Sequence, residues 1–249
     1  MKLFEKKVAL PKRDKKGSVT VILAAAGSGT RLGGVSKPLV DILGKSAIEY
    51  SLEIFEQIRD VTRIVISTKE EDIPEYRGII EKRGFSKVCG IIAGGNTRQD
   101  SVAKAFRFAF SECITDFIAI HDAARPLITL DTVKGALADA KKYGTAVCAT
   151  ACTDTVKRTS ESLFVTDSVQ RDGLYLIQTP QFFSYDIYSA SLASAEKSGF
   201  QATDDSSLAE NAGFKIKLFD SPRENIKITY PGDIEIAKAI LNARKDENI

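Results

Sequence analysis

From Val19 onward, short apolar runs rich in β-branched residues alternate with longer amphipathic stretches. No other feature of the chain narrows its possible folds as much. Val19–Ala24, Arg63–Ser67, Val88–Ile92, Phe117–Ile120 and Thr145–Ala149 read as strands. Ser46–Ile58, Ile73–Arg83, Thr97–Phe110 and Thr129–Lys142 have the length and 3.6-residue period of helices. Ser46-Ala-Ile-Glu49 spells a capping box, and Thr97 and Thr129 stand at N-cap positions. Such alternation predicts an α/β domain with a mostly parallel sheet covered on both faces, which binds ligands at the carboxyl ends of its strands. The pattern breaks at Thr153. Thr153–Gln170 is polar with β-prone residues interspersed, and reads as an extended hairpin arm. Helices are expected again from about Ser184 and Asp204, then a strand near Lys215–Phe219. A last helix opens at Pro231, a good first helical residue.

With 249 residues, 43% of them hydrophobic, the chain can bury one sizeable core. Residues 18–249 therefore read as a single domain with an arm at about 153–172, preceded by a basic extension over residues 1–17. That extension carries seven Lys or Arg against two acids, in a chain whose net charge is +2. It reads as a solvated tail, and lacks the apolar run of a signal peptide. The balanced charge gives no support for bulk nucleic-acid or membrane binding. No stretch approaches the ~18 apolar residues of a membrane span. Cys89, Cys113, Cys148 and Cys152 form no CxxC pair, and His121 is the only histidine. Zinc and Cys–His nucleophilic chemistry are therefore disfavoured. Three of the cysteines lie in or beside apolar segments and read as small core residues, which points to a reducing compartment and a cytoplasmic protein.

Chemistry concentrates where predicted strands end. Ala24-Ala25-Ala26-Gly27-Ser28-Gly29 follows the first strand, and small residues there let the backbone approach a ligand and its N–H groups cradle phosphate. A dinucleotide loop would need a third glycine that is displaced here, and has no use for the two cations that follow, Arg31 and Lys37. Gly94-Gly95-Asn96-Thr97-Arg98-Gln99-Asp100-Ser101 opens a helix after the third strand and could read a base edge, or simply cap the helix. In Ile120-His121-Asp122-Ala123-Ala124-Arg125-Pro126, Asp122 is placed to hold Mg²⁺ against a triphosphate, or to cap a turn. His121 reads as structural. Thr153-Asp154-Thr155-Val156-Lys157-Arg158, Gln170-Arg171-Asp172-Gly173 and Glu224-Asn225-Ile226-Lys227-Ile228-Thr229 each offer cations and hydroxyls for a second phosphate, or form solvated polar strands.

Taken in order, Ala-Ala-Gly-x-Gly-x-Arg, Gly-Gly-x-x-Arg-x-x-Ser, His-Asp-Ala-Ala-Arg-Pro, Asp-Thr-x-Lys, Gln178-Thr-Pro-Gln181, Thr203-Asp204 and Asn-Ile-Lys-Ile-Thr resemble the 2-C-methyl-D-erythritol 4-phosphate cytidylyltransferase family, from about Val19 to Leu241. The resemblance implies a Rossmann-like nucleotidyltransferase fold, CTP and a sugar-alcohol phosphate as substrates, Mg²⁺, and a homodimer formed through the arm. It implies that Ala24, Ala25, Ala26, Gly27, Gly29, Gly95, Asn96, Ser101, Asp122 and Ala123 bind the nucleotide, with Asp122 on the metal. Arg31 and Lys37 would stabilise the transition state, and Thr155, Arg171 and Lys227 would hold the acceptor, Thr155 coming from a second copy's arm. One departure stands out. The family reads Pro-Lys-Gln where this chain has Ser36-Lys37-Pro38, and Pro38 is expected to push Lys37 toward extended geometry. The related ribitol 5-phosphate cytidylyltransferases share fold and chemistry, but Ala124 and Lys157 favour the methylerythritol group. A binding module that kept the pocket and lost catalysis is the rival of a different class.

Overall fold

The computed structural model describes residues 11–27, 35–111 and 113–246. In chain order the elements are β1 (Lys12–Arg13), β2 (Val19–Ala24), β3 (Asp41–Ile42), β4 (Lys45–Ser46), α1 (Ala47–Gln57), β5 (Val61–Thr68), α2 (Ile73–Arg83), β6 (Val88–Ala93), α3 (Arg98–Phe110), β7 (Cys113–Ile114) and β8 (Phe117–Asp122). There follow α4 (Leu130–Tyr143), β9 (Thr145–Ala151), β10 (Val156–Thr159), β11 (Val165–Val169), β12 (Tyr175–Ser184), α5 (Tyr185–Ser198), α6 (Asp205–Asn211), β13 (Leu218–Asp220) and α7 (Pro231–Asp246). The predicted helix starts hold. Thr97 and Asp100 exchange capping hydrogen bonds of 3.0 and 3.2 Å, Thr129 accepts from the Thr132 N–H, and Glu49 accepts from the Ser46 N–H at 2.6 Å.

Seven strands form one sheet in the order β13-β9-β12-β8-β2-β5-β6. All its pairings are parallel except those of β12, which runs antiparallel to both β8 and β9. The alternation along β2 assigns its faces. Val19, Val21 and Leu23 pack under α1, α2 and α4, while Ile22 packs with α3, α5 and α6. Both faces are thus buried, as a parallel sheet requires. A third cluster joins Ile42, Ala124, Leu127, Ile228 and Ala237. It fixes α7 and the segment before it against the β8 end of the sheet.

β10 and β11 pair antiparallel and form the arm. Its tip exposes Leu163 (81%) and Phe164 (75%), and the base of β12 exposes Leu176 and Ile177. Two expectations need correction. The side chains of Lys12 and Arg13 are solvent-exposed as expected, but the described end of the basic extension is not a free tail. β1 pairs in parallel with β7, Asp14 accepts from the Thr62 hydroxyl, and Asp116 accepts from the Gly17 N–H. Only one of the cysteines, Cys148, is buried; Cys89 is exposed on β6, the edge strand of the sheet among the described residues.

Candidate active site

The carboxyl ends of β2, β6 and β8 open onto a cleft of about 560 Å³. Ala24, Ala25, Ala26 and Gly27 form one wall, Gly95, Asn96 and Ser101 another, and Lys37 and Asp122 face into it. A Cβ on Gly94 would lie 2.8 Å from the Cβ of Ala26, so glycine is what lets these walls approach. Ser101 fixes the second wall by accepting from the Gly95 N–H at 2.9 Å and donating to the Thr97 carbonyl at 2.8 Å. Pro38 does not extend Lys37. Hydrogen bonds from Leu39 N–H to the Ser36 carbonyl and from Val40 N–H to the Lys37 carbonyl close Lys37–Leu39 into a 3₁₀ turn. Those two bonds outweigh the local preference before proline.

A second cavity of about 620 Å³ lies between the base of β12, α6 and β13, lined by Ile177, Gln178, Thr179, Thr203 and Leu218 among others. Among the described residues, Arg98, Asp122 and Lys227 line both cavities. Asp122 is buried. Its carboxylate meets Lys227 Nζ at 2.8 Å, Arg98 Nε at 3.3 Å and Arg125 Nε at 3.8 Å. Burial alone would raise the Asp122 pKa, but the Arg98 charge, then Lys227 and Arg125, hold it well below the usual carboxylate range. Lys227 is held in place by its flanks. Ile228 is buried and donates its N–H to the Ala124 carbonyl at 2.8 Å. Buried Asn225 donates to Gln178 Oε1 and to the Thr179 carbonyl. Its own carbonyl accepts from Arg125 Nη1 at 2.6 Å.

A nucleotide-sized cleft and a second polar cavity that meet at a carboxylate ringed by cations suit transfer of a phosphorus group from one ligand to another. Comparison with known proteins agrees. The family model for IspD, 2-C-methyl-D-erythritol 4-phosphate cytidylyltransferase, matches residues 19–243. The chain belongs to that family. A 2-C-methyl-D-erythritol 4-phosphate cytidylyltransferase from Clostridium botulinum (strain Langeland) is 35% identical over 223 residues, covering 89% of this chain and 96% of its own. Another from Bacillus mycoides is 35% identical over 227 residues, covering 91% and 99%. The crystal structure of 4-diphosphocytidyl-2C-methyl-D-erythritol synthase from Anaerococcus prevotii matches with a TM-score of 0.79 at 27% identity, covering 91% of this chain and 97% of that one.

Within this cytidylyltransferase frame, the structure brings Ala24, Ala25, Ala26, Gly27, Lys37, Gly95, Asn96, Ser101, Asp122 and Lys227 to one cleft. Gly29 and Arg31 lie outside the described residues. Ala123 is buried behind the wall, donating its N–H to the Ala24 carbonyl. Thr155 and Arg171 do not line either cavity of this single chain. They are exposed at the base of the arm, where Arg171 donates to the Thr153 carbonyl at 2.6 Å. Arg98, Arg125 and Gln178 also line the site, and each stands within a sequence motif whose local pattern does not mark it. Asp204 caps α6, accepting from the Ser207 N–H, and Asp205 pairs with Arg98 at 2.6 Å.

His121 supports Asp122 from beneath. The Thr179 hydroxyl accepts from the Asp122 N–H at 3.0 Å and lies 3.0 Å from His121 Nδ1. It therefore donates to Nδ1, leaving Nε2 to carry the imidazole proton toward the Arg125 carbonyl. Burial, opposed by Asp122, pushes the imidazole pKa down to about 4. An unfolded histidine titrates near ~6.5, so between those values the unfolded chain binds more protons. Stability is thus fully present above about pH 6.5 and falls toward pH 4, by roughly 3 kcal/mol in all. Because His121 is the only histidine, urea unfolding at pH 7 and pH 4.5 should report this loss directly, and His121→Gln should flatten it. A slope unchanged in the variant would assign the loss to other groups.

Proposed function

We propose that this chain transfers CMP from CTP to 2-C-methyl-D-erythritol 4-phosphate and releases pyrophosphate, as the names of its relatives describe for those proteins. The observation that carries the reading is the meeting of the nucleotide cleft and the second cavity at Arg98, Asp122 and Lys227. CTP in the first cavity and the polyol phosphate in the second would face each other across these residues. An acceptor phosphate oxygen attacks the α-phosphorus, the bond to the β-phosphate oxygen breaks, and pyrophosphate carries away the charge. The nucleophile is already anionic, so no general base is needed, and fixed cations do most of the catalysis. We assign Arg31 and Lys37 to the transition-state charge, and Lys227 to the acceptor side.

Among the described residues, no group of three or more His, Cys, Asp or Glu could hold a metal alone. Asp122 offers one carboxylate at the junction. That set fits a Mg²⁺ whose other ligands are triphosphate oxygens and water, the usual pattern for this ion with nucleotides. Bound there, it would neutralise charge on the triphosphate. We also propose a homodimer through the arm, with Thr155 of a second copy reaching the acceptor cavity. The exposed tip residues Leu163 and Phe164 support it, since side chains so apolar are costly to leave in water. Leu163→Glu with Phe164→Glu should shift sedimentation from dimer to monomer and cut turnover at least tenfold. A dimer that survives both charges would place the interface elsewhere. Four unpaired cysteines suit the reducing cytoplasm, where we place the protein. No helix among the described residues is long and apolar enough to cross a membrane.

The test is pyrophosphate release with CTP and Mg²⁺, using methylerythritol 4-phosphate and ribitol 5-phosphate side by side. Faster release with the first supports the reading. Preference for the second keeps the chemistry and changes the acceptor. Silence with both, in protein that still binds CTP, makes the chain a nucleotide-binding module.

A further inference from the structure

In an in-line transfer the migrating phosphorus lies on the boundary between the donor's cavity and the acceptor's. Only side chains that reach both cavities can follow it throughout. Among the described residues these are Asp122, Lys227 and Arg98. The first two already have roles in the reading above; Arg98 has none. Its guanidinium is held as a fork. Nε donates to Asp122 Oδ1 at 3.3 Å and Nη1 to Asp205 Oδ2 at 2.6 Å. Asp205 is itself buried, and its other oxygen accepts from the hydroxyl of buried Tyr188 at 2.7 Å. Tyr188 packs between Phe106 and Phe183, with ring centroids 5.3 and 5.4 Å away. The aim of Arg98 is therefore set from inside the core, not by solvent.

The charges at this junction do not cancel. Arg98, Arg125 and Lys227 surround two carboxylates, Asp122 and Asp205, leaving one positive charge uncompensated where the two cavities meet. An anion arriving there completes the set. The geometry points to Arg98 as a further cation for the transferred phosphate, with Asp205 and Tyr188 as the positioning residues that aim it. This deepens the cytidylyltransferase reading and rests on it. Arg98 lies on the first turn of α3, one residue after the Thr97 cap. The same capped turn that orders the Gly95–Ser101 wall thus sets the height of the guanidinium above the sheet.

The test compares wild type with Arg98→Ala, Arg98→Lys, Asp205→Asn and Tyr188→Phe in pyrophosphate release, with kcat and both KM values separated and folding checked by circular dichroism. Arg98→Ala should lose about 10²–10³ in kcat, the usual loss for one transition-state donor, with the CTP KM changed less than fivefold. Added guanidinium ion should restore part of that loss. Arg98→Lys keeps the charge without the fork and should recover about a tenth of wild-type kcat or less. Asp205→Asn should lower kcat roughly tenfold and Tyr188→Phe about threefold, the order expected of groups acting through Arg98. Folded Arg98 variants with kcat within threefold of wild type, or losses confined to KM, would overturn the inference. If Arg98→Ala does not fold, Arg98→Lys and Asp205→Asn decide by the same criteria. A wild-type protein inactive with every acceptor would instead remove the cytidylyltransferase reading itself, which these variants do not address.

Discussion

Replacing Asp122 with alanine is expected to abolish turnover, by at least about 10³, and to destabilise the protein by roughly 3 kcal/mol. Both losses have one cause. Among the described residues, Asp122 is the only carboxylate shared by the two cavities, and three cations converge on it. Removing it leaves Arg125, whose side chain is nine-tenths buried, without its acid and sets Arg98 against Lys227. An uncompensated buried charge costs more than the pair was worth. The stability figure sits at the low end of the usual range because Lys227 and Arg98 keep partial access to water. Asp122→Asn separates the two effects. It preserves shape and hydrogen bonding, so it should recover part of the stability but almost none of the turnover. The depressed Asp122 pKa adds a signature in acid. Its contribution is present above the ordinary carboxylate range and is lost as pH falls below it. Both variants should lack that acid limb in urea unfolding, and a folded Asp122→Asn with more than a tenth of normal kcat would displace Asp122 from the centre of the site.

The parallel part of the sheet was plain in the sequence because its strands are continuous apolar runs between capped helices. β12 was not. Its outer half is apolar, but Gln178, Thr179 and Gln181 interrupt the run, and Pro180 has no N–H to give to a ladder. The pairing with β9 slips between Ile177 and Gln181 at that point. Those polar residues are buried all the same, lining the second cavity while Gln178 and Gln181 hold Asn225 and Asp204. A strand that serves a site loses the pattern that would reveal it. The same trade hides Arg98. On a capped helix start, an arginine reads as an ordinary exposed residue. What gives it a role is Asp205, more than a hundred residues later, and no local signal carries that pairing. Lys12 and Arg13 show the reverse case. Their charge predicted a loose tail, while backbone pairing with β7 ties them to the domain, since a ladder needs no particular side chain.

Lys227 gives the second large effect. Residues 226–228 alternate like a strand, with Ile226 and Ile228 turned into the core around α7 and Lys227 turned out over Asp122. The alternation fixes which way the lysine points, and the buried Asn225 two residues earlier fixes its depth. Because it reaches both cavities, its amine can meet charge on the migrating phosphate as well as on the acceptor. Lys227→Ala is expected to cut kcat by about 10²–10³ and to raise the KM for the acceptor more than that for CTP. Stability should change by less than about 1 kcal/mol, since the amine is substantially exposed and water can replace it. Lys227→Arg keeps the charge but carries a bulkier head toward Arg98, and should restore no more than a few per cent of kcat. Steady-state kinetics with both substrates varied would separate these terms. If Lys227→Ala raised both KM values alike and left kcat intact, the lysine would be a binding group only, and Lys37 and Arg31 would have to supply the transition-state charge without it.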